Sequence, residues 1–373
     1  MEQTAIDIDS LLGEQNKPAA AAGIDPLIQK VDSWSDGCRD MPIDVRSVAF
    51  HSDDGGMWVE LKGGQRVDFK RDPLNPKDPK IVHAQKQFCR MLGVPHGFFA
   101  SNRPSLRDSM IRTWQSGLEP DDRRARCVAR LRGGGNVLML RALFAERAVP
   151  PMAVDILKAA KTAFGSSASV VFCHGDDRDD LVLHVRFLFG DSVPAPGGDL
   201  NTGFDLVFSE LGASPMTVDA ILHDPAAMVS FVASYGGEPF FSSKYEGLQP
   251  KEVAEMFPAL LARIRAQSAE MAETLKGASD GVYSVRQDCL SMTKARGVTS
   301  AMRRAVFHEL SQGTETCTRM DIAKIVARVA KGFDSLKGLA LERAAGRYLN
   351  LCFERAATTE KKETADAGTD SRA

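Results

Sequence analysis

The chain lacks the features of a membrane-spanning or disulfide-stabilised protein. No run approaches the roughly 18 apolar residues that span a bilayer, and the first residues lack the basic start and apolar core of a secretory signal. The seven cysteines are odd in number and never form a Cys-x-x-Cys pair, which argues against a disulfide framework and a zinc site. We therefore expect a protein of a reducing compartment, most simply cytoplasmic, with no membrane partner.

The chain also lacks an excess of charge of one sign. Its formal net charge is -2 over 373 residues, so any electrostatic argument depends on local clusters. Residues 1–60 carry twelve acids and four bases. We expect residues 1–40 to form a disordered acidic arm, because a polar segment of this kind buries too little apolar surface to fold alone.

A complete catalytic motif is missing as well. The Gly133–Gly135 run has no phosphate-loop pattern after it, and Ser209 lacks the Gly-x-Ser-x-Gly elbow of hydrolases. One acidic loop leaves an enzymatic alternative open, since carboxylates bind hard cations. Its candidate ligands are His174, Asp176, Asp177, Asp179 and Asp180. Acids are also common in solvated turns, so a turn is the main interpretation, and no cofactor or metal is expected.

The pattern of apolar residues and turns predicts an α+β fold: a central antiparallel sheet with packed helices, followed by a mainly helical C-terminal region. We divide it into a small β-meander and linker (41–80), an α+β core (81–238), a helical region (239–355) and a disordered tail (356–373). Strands are predicted at 126–131, 137–143, 169–173, 181–189 and 203–209. Helices are predicted at 83–92, 106–115, 152–164, 215–235, 250–275, 288–293, 300–310, 319–331 and 336–355.

The densest strand signal lies at residues 180–212. Leu183, Val185 and Phe187 share one face of the predicted strand, and His184 and Arg186 share the other. This alternation predicts a sheet with one buried face. A helix-like segment, 215–235, follows it.

Two basic clusters stand out. Residues 121–147 contain seven arginines against three acids, and residues 283–304 contain five basic residues against one acid, so each cluster has a balance of +4. The candidates are Arg123, Arg124, Arg126, Arg130, Arg132, Arg141, Arg147, Arg286, Lys294, Arg296, Arg303 and Arg304. The even spacing of Arg126, Arg130 and Arg132 places them on one face of a strand.

Arginines on a sheet can contact phosphates, and nearby aromatic rings can stack on bases. The candidate rings are Phe98, Phe99, Trp114, Phe240, Phe241 and Tyr245. A solvated basic face and a set of core aromatics are the alternative interpretation. Basic residues at helical spacing, Lys324, Arg328 and Lys331, favour nucleic-acid contact weakly.

Three segments resemble a large family of phage- and plasmid-like proteins that carry a domain of unknown function, of the type numbered nine-three-two. They are LGVPHGFFASNRPSLRDSMIRTW, the run from Leu140 to Arg147, and the run from Gly203 to Gly212, in which Ser209, Glu210 and Gly212 are the most specific residues. The resemblance covers roughly residues 80–355. Departures occur at Phe208, Ala145 and Ala148, where that family favours Asn, Ser and Tyr.

The resemblance implies a protein of a mobile element. The strand, strand, helix core is also similar in fold to that of RecT/Redβ-type single-strand annealing proteins. We therefore expect a non-catalytic, oligomeric protein that binds single-stranded DNA in recombination or replication, with phage or plasmid recombination proteins as partners. The alternatives are a metal-dependent nucleic-acid enzyme and a protein that inhibits a host defence factor. Ser209, Glu210 and Gly212 are expected to shape a strand-to-helix turn.

Overall fold

The computed structural model describes residues 22–35, 37–53, 56–61, 64–69, 81–119, 122–133, 137–164, 169–174, 182–235, 239–243, 250–279, 283–284, 292, 294–295, 297–311, 316–333 and 335–353. Residues 134–136, the acidic loop from 175 and the predicted helix at 288–293 lie outside these residues, apart from Met292. So do residues 1–21 and 354–373.

The described elements include runs of consecutive strands, at residues 38–68 and 183–243, and a run of consecutive helices, at residues 81–116. The strands are β1 (Ala22–Gly23), β2 (Cys38–Asp44), β3 (Ala49–Asp53), β4 (Gly56–Glu60), β5 (Arg66–Asp68), β6 (Arg126–Arg132), β7 (Val137–Ala145), β8 (Ser169–His174), β9 (Leu183–Val193), β10 (Leu200–Phe208), β11 (Met216–Asp224), β12 (Val229–Tyr235), β13 (Phe241–Ser243), β14 (Tyr283–Ser284), β15 (Thr316–Cys317) and β16 (Cys352–Phe353). The helices are α1 (Ile24–Ser35), α2 (Ile81–Leu92), α3 (His96–Ser101), α4 (Pro104–Ser116), α5 (Ala153–Phe164), α6 (Pro250–Leu275), α7 (Ser300–Ser311), α8 (Arg319–Ala330) and α9 (Ser335–Tyr348).

This architecture confirms the predicted α+β class. A six-stranded sheet has the order β2-β6-β7-β5-β4-β3, and an eight-stranded sheet has the order β1-β8-β9-β10-β11-β12-β16 with β13 beside β11. The strand pairings whose registers are known are antiparallel, except for β5 with β7 and β12 with β16. The strands of the predicted meander, β3 to β5, join the same sheet as β6 and β7.

The chain divides into two compact units. The first comprises Met1–Asp191, Gly203–Val218 and Phe241–Ala266, and the second comprises Ser192–Thr202, Asp219–Phe240 and Gln267–Ala373. In the first unit the six-stranded sheet packs one face against the helical layer α2–α4, around the fully buried Phe88 and Phe99. In the part of the chain that the structure describes, no helix is both long and apolar enough to cross a membrane.

The second unit packs helices directly against a strand. A Cβ atom at Gly346 of α9 would lie 2.1 Å from the carbonyl oxygen of Val232 in β12. Only a residue without a side chain allows this approach of helix and strand backbones. An ion pair between Arg343 of α9 and the buried Asp219 of β11, at 2.6 Å, fixes the same contact.

Two segments differ in secondary structure from the prediction. The segment 215–235, expected to be a helix, forms the antiparallel hairpin of β11 and β12, with Ala220 opposite Ala233. Its strands are buried almost throughout, so the period-2 alternation of a half-buried strand is absent. The segment expected to be disordered before residue 41 contains α1 and the start of β2, and α1 is held to α5 by an ion pair between Asp25 and Lys161.

The face that was expected to be exposed on β9 is also buried. His184 and Arg186 share a face as predicted, but they are only 2% and 8% exposed. The guanidinium of Arg186 donates two hydrogen bonds of 2.7 Å to the carboxylate of Asp205 in β10, which is fully buried. Burial alone would raise the pKa of Asp205, but the nearby Arg186 and His184 outweigh it and hold that pKa below its usual range.

Candidate nucleic-acid interface

The predicted arginines of the first cluster fall into a buried set and an exposed set. Arg130, in the middle of β6, is 1% exposed. Its guanidinium donates to both carboxylate oxygens of Asp40 at 2.8 and 2.7 Å, and to the carbonyl oxygens of Glu210 and Pro150. A guanidinium with this many acceptors is satisfied within the protein, so Arg130 cannot reach a phosphate on the surface.

Arg141 is held inside the same region by a break in strand register. Between Arg130 and Leu131 the pairing of β6 with β7 shifts by one residue, and Arg141 is the extra residue of β7. Such a bulge redirects a side chain. Arg141 Nη1 lies 2.6 Å from Glu210 Oε1, and the side chains of the pair are 12% and 11% exposed. Like Arg130, Arg141 therefore stabilises the fold through its ion pair and is largely inaccessible to a ligand.

Glu210 connects the 209–212 turn to β7 and to α5. One carboxylate oxygen accepts from Arg141, and the other accepts from the backbone N–H of Ala153, the first residue of α5, at 3.0 Å. The sequence suggested that Glu210 stabilises the start of a following helix. The structure places its carboxylate at the start of the earlier helix α5, where negative charge is favourable.

The rest of this turn is fixed by its neighbours. Ser209 Oγ accepts from the backbone N–H groups of Leu211 and Ala213 at 3.2 and 3.0 Å. Gly212 has φ of 70°, and a Cβ atom there would lie 3.2 Å from the ring of Phe144, so glycine suits both the backbone and the space. The residues that carry the family resemblance in 140–147 and 203–212 thus lie in contact.

Helix α2 completes this arrangement beside β7. Gln87 accepts a hydrogen bond of 2.8 Å from the backbone of Leu143, and His83 and Gln87 both lie within 2.9 Å of the carbonyl oxygen of Leu211. Burial lowers the pKa of His83, although its hydrogen bond to the carbonyl of Leu211 opposes the shift. The 209–212 turn, β7 and α2 therefore form one hydrogen-bonded assembly.

The exposed set lies at one end of the β6–β7 pair. Arg123, Arg124 and Arg126 come at and just before the start of β6, and Arg147 follows the end of β7. Cys127 pairs with Ala145, which brings Arg126 and Arg147 to the same end of the hairpin. Arg132 lies at the other end of β6, six residues or about 20 Å away along a strand, and is half-buried.

Only part of the exposed set is neutralised locally. Arg124 forms an ion pair with Asp122, and the adjacent Arg46 forms one with Asp44, both at 2.6 Å. Among the described residues, the side chains of Arg123, Arg126 and Arg147 have no ion pair and are exposed. This end of the hairpin therefore has three cationic groups available to an anionic ligand.

The second predicted cluster is only partly described. Arg286 and Arg296 lie outside the described residues, as do Asp176, Asp177, Asp179 and Asp180 of the acidic loop. Lys294, Arg303 and Arg304 are exposed, the last two on α7. On α8, Lys324 forms an ion pair of 2.8 Å with Asp224 and so has a structural partner.

Two of the candidate stacking rings are buried, and Trp114 and Phe241 are half-buried. Phe99 is fully buried, Phe240 is 7% exposed, and Trp114 packs edge-on against Phe88 at 6.0 Å. Phe98 is 56% exposed. Tyr245 lies outside the described residues.

The buried cysteines do not have the environment of a nucleophile. Burial raises the pKa of the Cys89 thiol to about 11 and that of Cys127 to about 12, and reactive cysteines instead have lowered values. Among the described residues, no group of three or more His, Cys, Asp or Glu side chains could hold a metal ion.

Comparison with known proteins gives no relative: no family model, no curated protein and no solved structure matches the chain. The geometry of its own residues therefore carries the argument for an anionic ligand.

Proposed function

We propose that this chain is a non-catalytic protein that binds single-stranded DNA in the recombination or replication of a phage, prophage or plasmid. The observation that carries the proposal is the end of the β6–β7 hairpin, where the side chains of Arg123, Arg126 and Arg147 are exposed and form no ion pair with a carboxylate of the described residues. Exposed cations of this kind bind phosphates by releasing counterions from the nucleic acid.

The buried network beneath this end supports the same proposal. Arg130, Asp40, Arg141 and Glu210 tie β2, β6, β7 and the 209–212 turn together, so the hairpin that presents the cations is held rigidly. Rigid elements position contact residues better than loops do. The choice of DNA, of single strands and of a mobile element comes from the family resemblance.

Fluorescence anisotropy with labelled oligothymidylate tests the proposal. The variant Arg123→Gln/Arg126→Gln/Arg147→Gln should bind more weakly, and its plot of log affinity against log salt should be shallower by about 2, or about 0.7 for each lost phosphate contact. The charge-matched control is Lys251→Gln/Lys276→Gln/Arg328→Gln, since each of these exposed cations already has a carboxylate neighbour.

Equal affinity and salt slope for the two triple variants would contradict this location of the interface. No binding by the unmodified chain at low salt would contradict the function itself. Electron microscopy with and without the oligonucleotide tests the proposed homo-oligomer, which should appear as rings or filaments.

A further inference from the structure

The helical layer α2–α4 is a second cationic surface of the first unit, which the sequence clusters did not include. Residues 81–116 contain five basic residues and one acid, a balance of +4. Lys86, Arg90, Arg103 and Arg112 are exposed, and among the described residues none has a carboxylate partner. The acid, Asp108, is half-buried and accepts a hydrogen bond of 2.7 Å from Ser52.

A large aromatic side chain stands exposed within this layer. Phe98, in α3, is 56% exposed, whereas its neighbour Phe99 is fully buried and packs edge-on against Phe88 at 6.4 Å. The backbone of Phe98 is held in place, because its carbonyl oxygen accepts from Ser101 Oγ and Asn102 Nδ2 at 2.9 and 2.7 Å. An aromatic side chain on a fixed backbone has only two χ angles to order, so it loses little conformational entropy on binding.

Helix α4 is held by hydrogen bonds at both ends, and it separates Arg103, which lies near Phe98 in the sequence, from Arg112. At its start Ser52 donates to the carbonyl oxygen of Pro104 at 2.9 Å. At its end Gln115 donates to the carbonyl oxygens of Val45 and Val48 at 2.6 and 3.0 Å. Arg103 precedes the helix and Arg112 lies nine residues later, so the two cations are about 14 Å apart along the helix axis.

The end of α4 meets the exposed arginines of the hairpin. Val45, which accepts from Gln115, donates its own backbone N–H to the carbonyl oxygen of Ala125 at 2.9 Å. Ala125 stands between Arg124 and Arg126. The buried residues Val45 and Ala125 therefore connect the end of α4 to the segment that carries Arg124 and Arg126.

We infer that α2–α4 forms a single-strand-binding track, in which Phe98 stacks on a base while Arg103 and Arg112 contact phosphates. This inference rests on the proposed function and assigns the base-contacting residue for it. Charge complementarity selects the occupant, because the exposed cations of these helices face no exposed acid on the same helices and a nucleic acid supplies both anionic phosphates and flat apolar bases. A duplex hides the faces of its bases, so the exposed ring favours a single strand.

The test compares the unmodified full chain with four variants by anisotropy, using a labelled oligothymidylate and an abasic oligonucleotide of the same length. Phe98→Ala should weaken binding to oligothymidylate about fivefold to a hundredfold, which is the range measured for loss of one base stack. It should leave binding to the abasic strand unchanged. Arg103→Gln/Arg112→Gln should weaken binding to both strands and reduce the salt slope by about 1.4.

Leu106→Ala is the matched control, since Leu106 is another exposed apolar residue, 46% accessible, at the start of α4. It should bind both strands as the unmodified chain does. Phe98→Trp should retain affinity, and its added fluorescence should be quenched by oligothymidylate but not by the abasic strand.

The outcomes distinguish failure of the proposed binding track from failure of the proposed DNA-binding function. Binding by the unmodified chain together with unchanged affinity of Phe98→Ala and of Arg103→Gln/Arg112→Gln would overturn the track and leave the DNA-binding function intact. An equal loss of Phe98→Ala affinity for both strands would overturn base stacking. Competition by poly-L-glutamate as effective as that by oligothymidylate would point to an acidic protein partner and overturn the nucleic-acid assignment. No binding by the unmodified chain would overturn both proposals.

Discussion

At the scale of single residues, exposure separates the arginines that could bind a ligand from those that stabilise the fold. The sequence places Arg126 and Arg130 on one face of a strand, because side chains an even number of residues apart point to the same side. The structure shows Arg126 exposed and Arg130 fully buried against Asp40. Even spacing predicts which residues share a face of a strand, but it does not predict whether another part of the chain covers that face. Arg130 is covered by Glu210 and Pro150, whose carbonyl oxygens accept its hydrogen bonds and which are distant in the sequence.

The Asp205–Arg186 pair predicts a pH dependence. Because the folded-state pKa of Asp205 is depressed, its contribution to stability is present above its unfolded pKa of about 3.9 and is lost as the pH falls. Asp205→Asn leaves Arg186 buried without its counter-charge and should lower the free energy of unfolding by about 3–5 kcal/mol at pH 7. Urea unfolding at several pH values should show that the difference in free energy of unfolding between the unmodified chain and Asp205→Asn becomes smaller below about pH 4.

The double variant Arg186→Met/Asp205→Leu is the control for that prediction. It removes both charges and replaces them with apolar groups, so it should be more stable than Asp205→Asn. Parallel pH profiles for the unmodified chain and Asp205→Asn would contradict the depressed pKa.

At the scale of elements, local signals predict helices with one apolar face far better than strands that are buried on both faces. Helices α2, α4, α5, α7 and α8 are confirmed within a few residues, because their apolar residues recur at helical spacing and Gly or Pro residues mark several of their ends. The hairpin β11–β12 was mistaken for a helix because continuous burial erases alternation and its Ala residues favour helices.

The contact of the 209–212 turn with its neighbours predicts the effect of losing Glu210. Glu210→Ala removes the partner of Arg141 and the acceptor for the first N–H of α5. We expect the free energy of unfolding to fall by about 3 kcal/mol, since breaking a buried pair leaves a charge without its partner. Thermal or urea unfolding measures the change.

Glu146→Ala is the control, because Glu146 is an exposed acid at the end of the same β7 strand. Its effect should stay within about 0.5 kcal/mol. A comparable change for Glu210→Ala and Glu146→Ala would show that the network contributes little to the stability of the fold.

At the scale of the whole molecule, the near-neutral charge conceals an uneven distribution. The net charge of -2 combines an acidic N-terminal segment with a cationic surface along α2–α4 and the end of the β6–β7 hairpin. The sequence indicated the arginines of the hairpin but missed those of α2–α4, although a charge count over residues 81–116 would have found them. The proximity of the end of α4 to the hairpin depends on hydrogen bonds that join Gln115, Val45 and Ala125, and it could not be predicted from the sequence.

The most direct test of the account is the salt dependence of oligothymidylate binding by the unmodified chain. Three exposed hairpin arginines and two on the α4 track contacting phosphates predict a plot of log affinity against log salt that is linear with a slope of about -3.5, or about -0.7 per contact. Binding that is undetectable at 50 mM salt, or that has a slope near zero, would contradict the central claim.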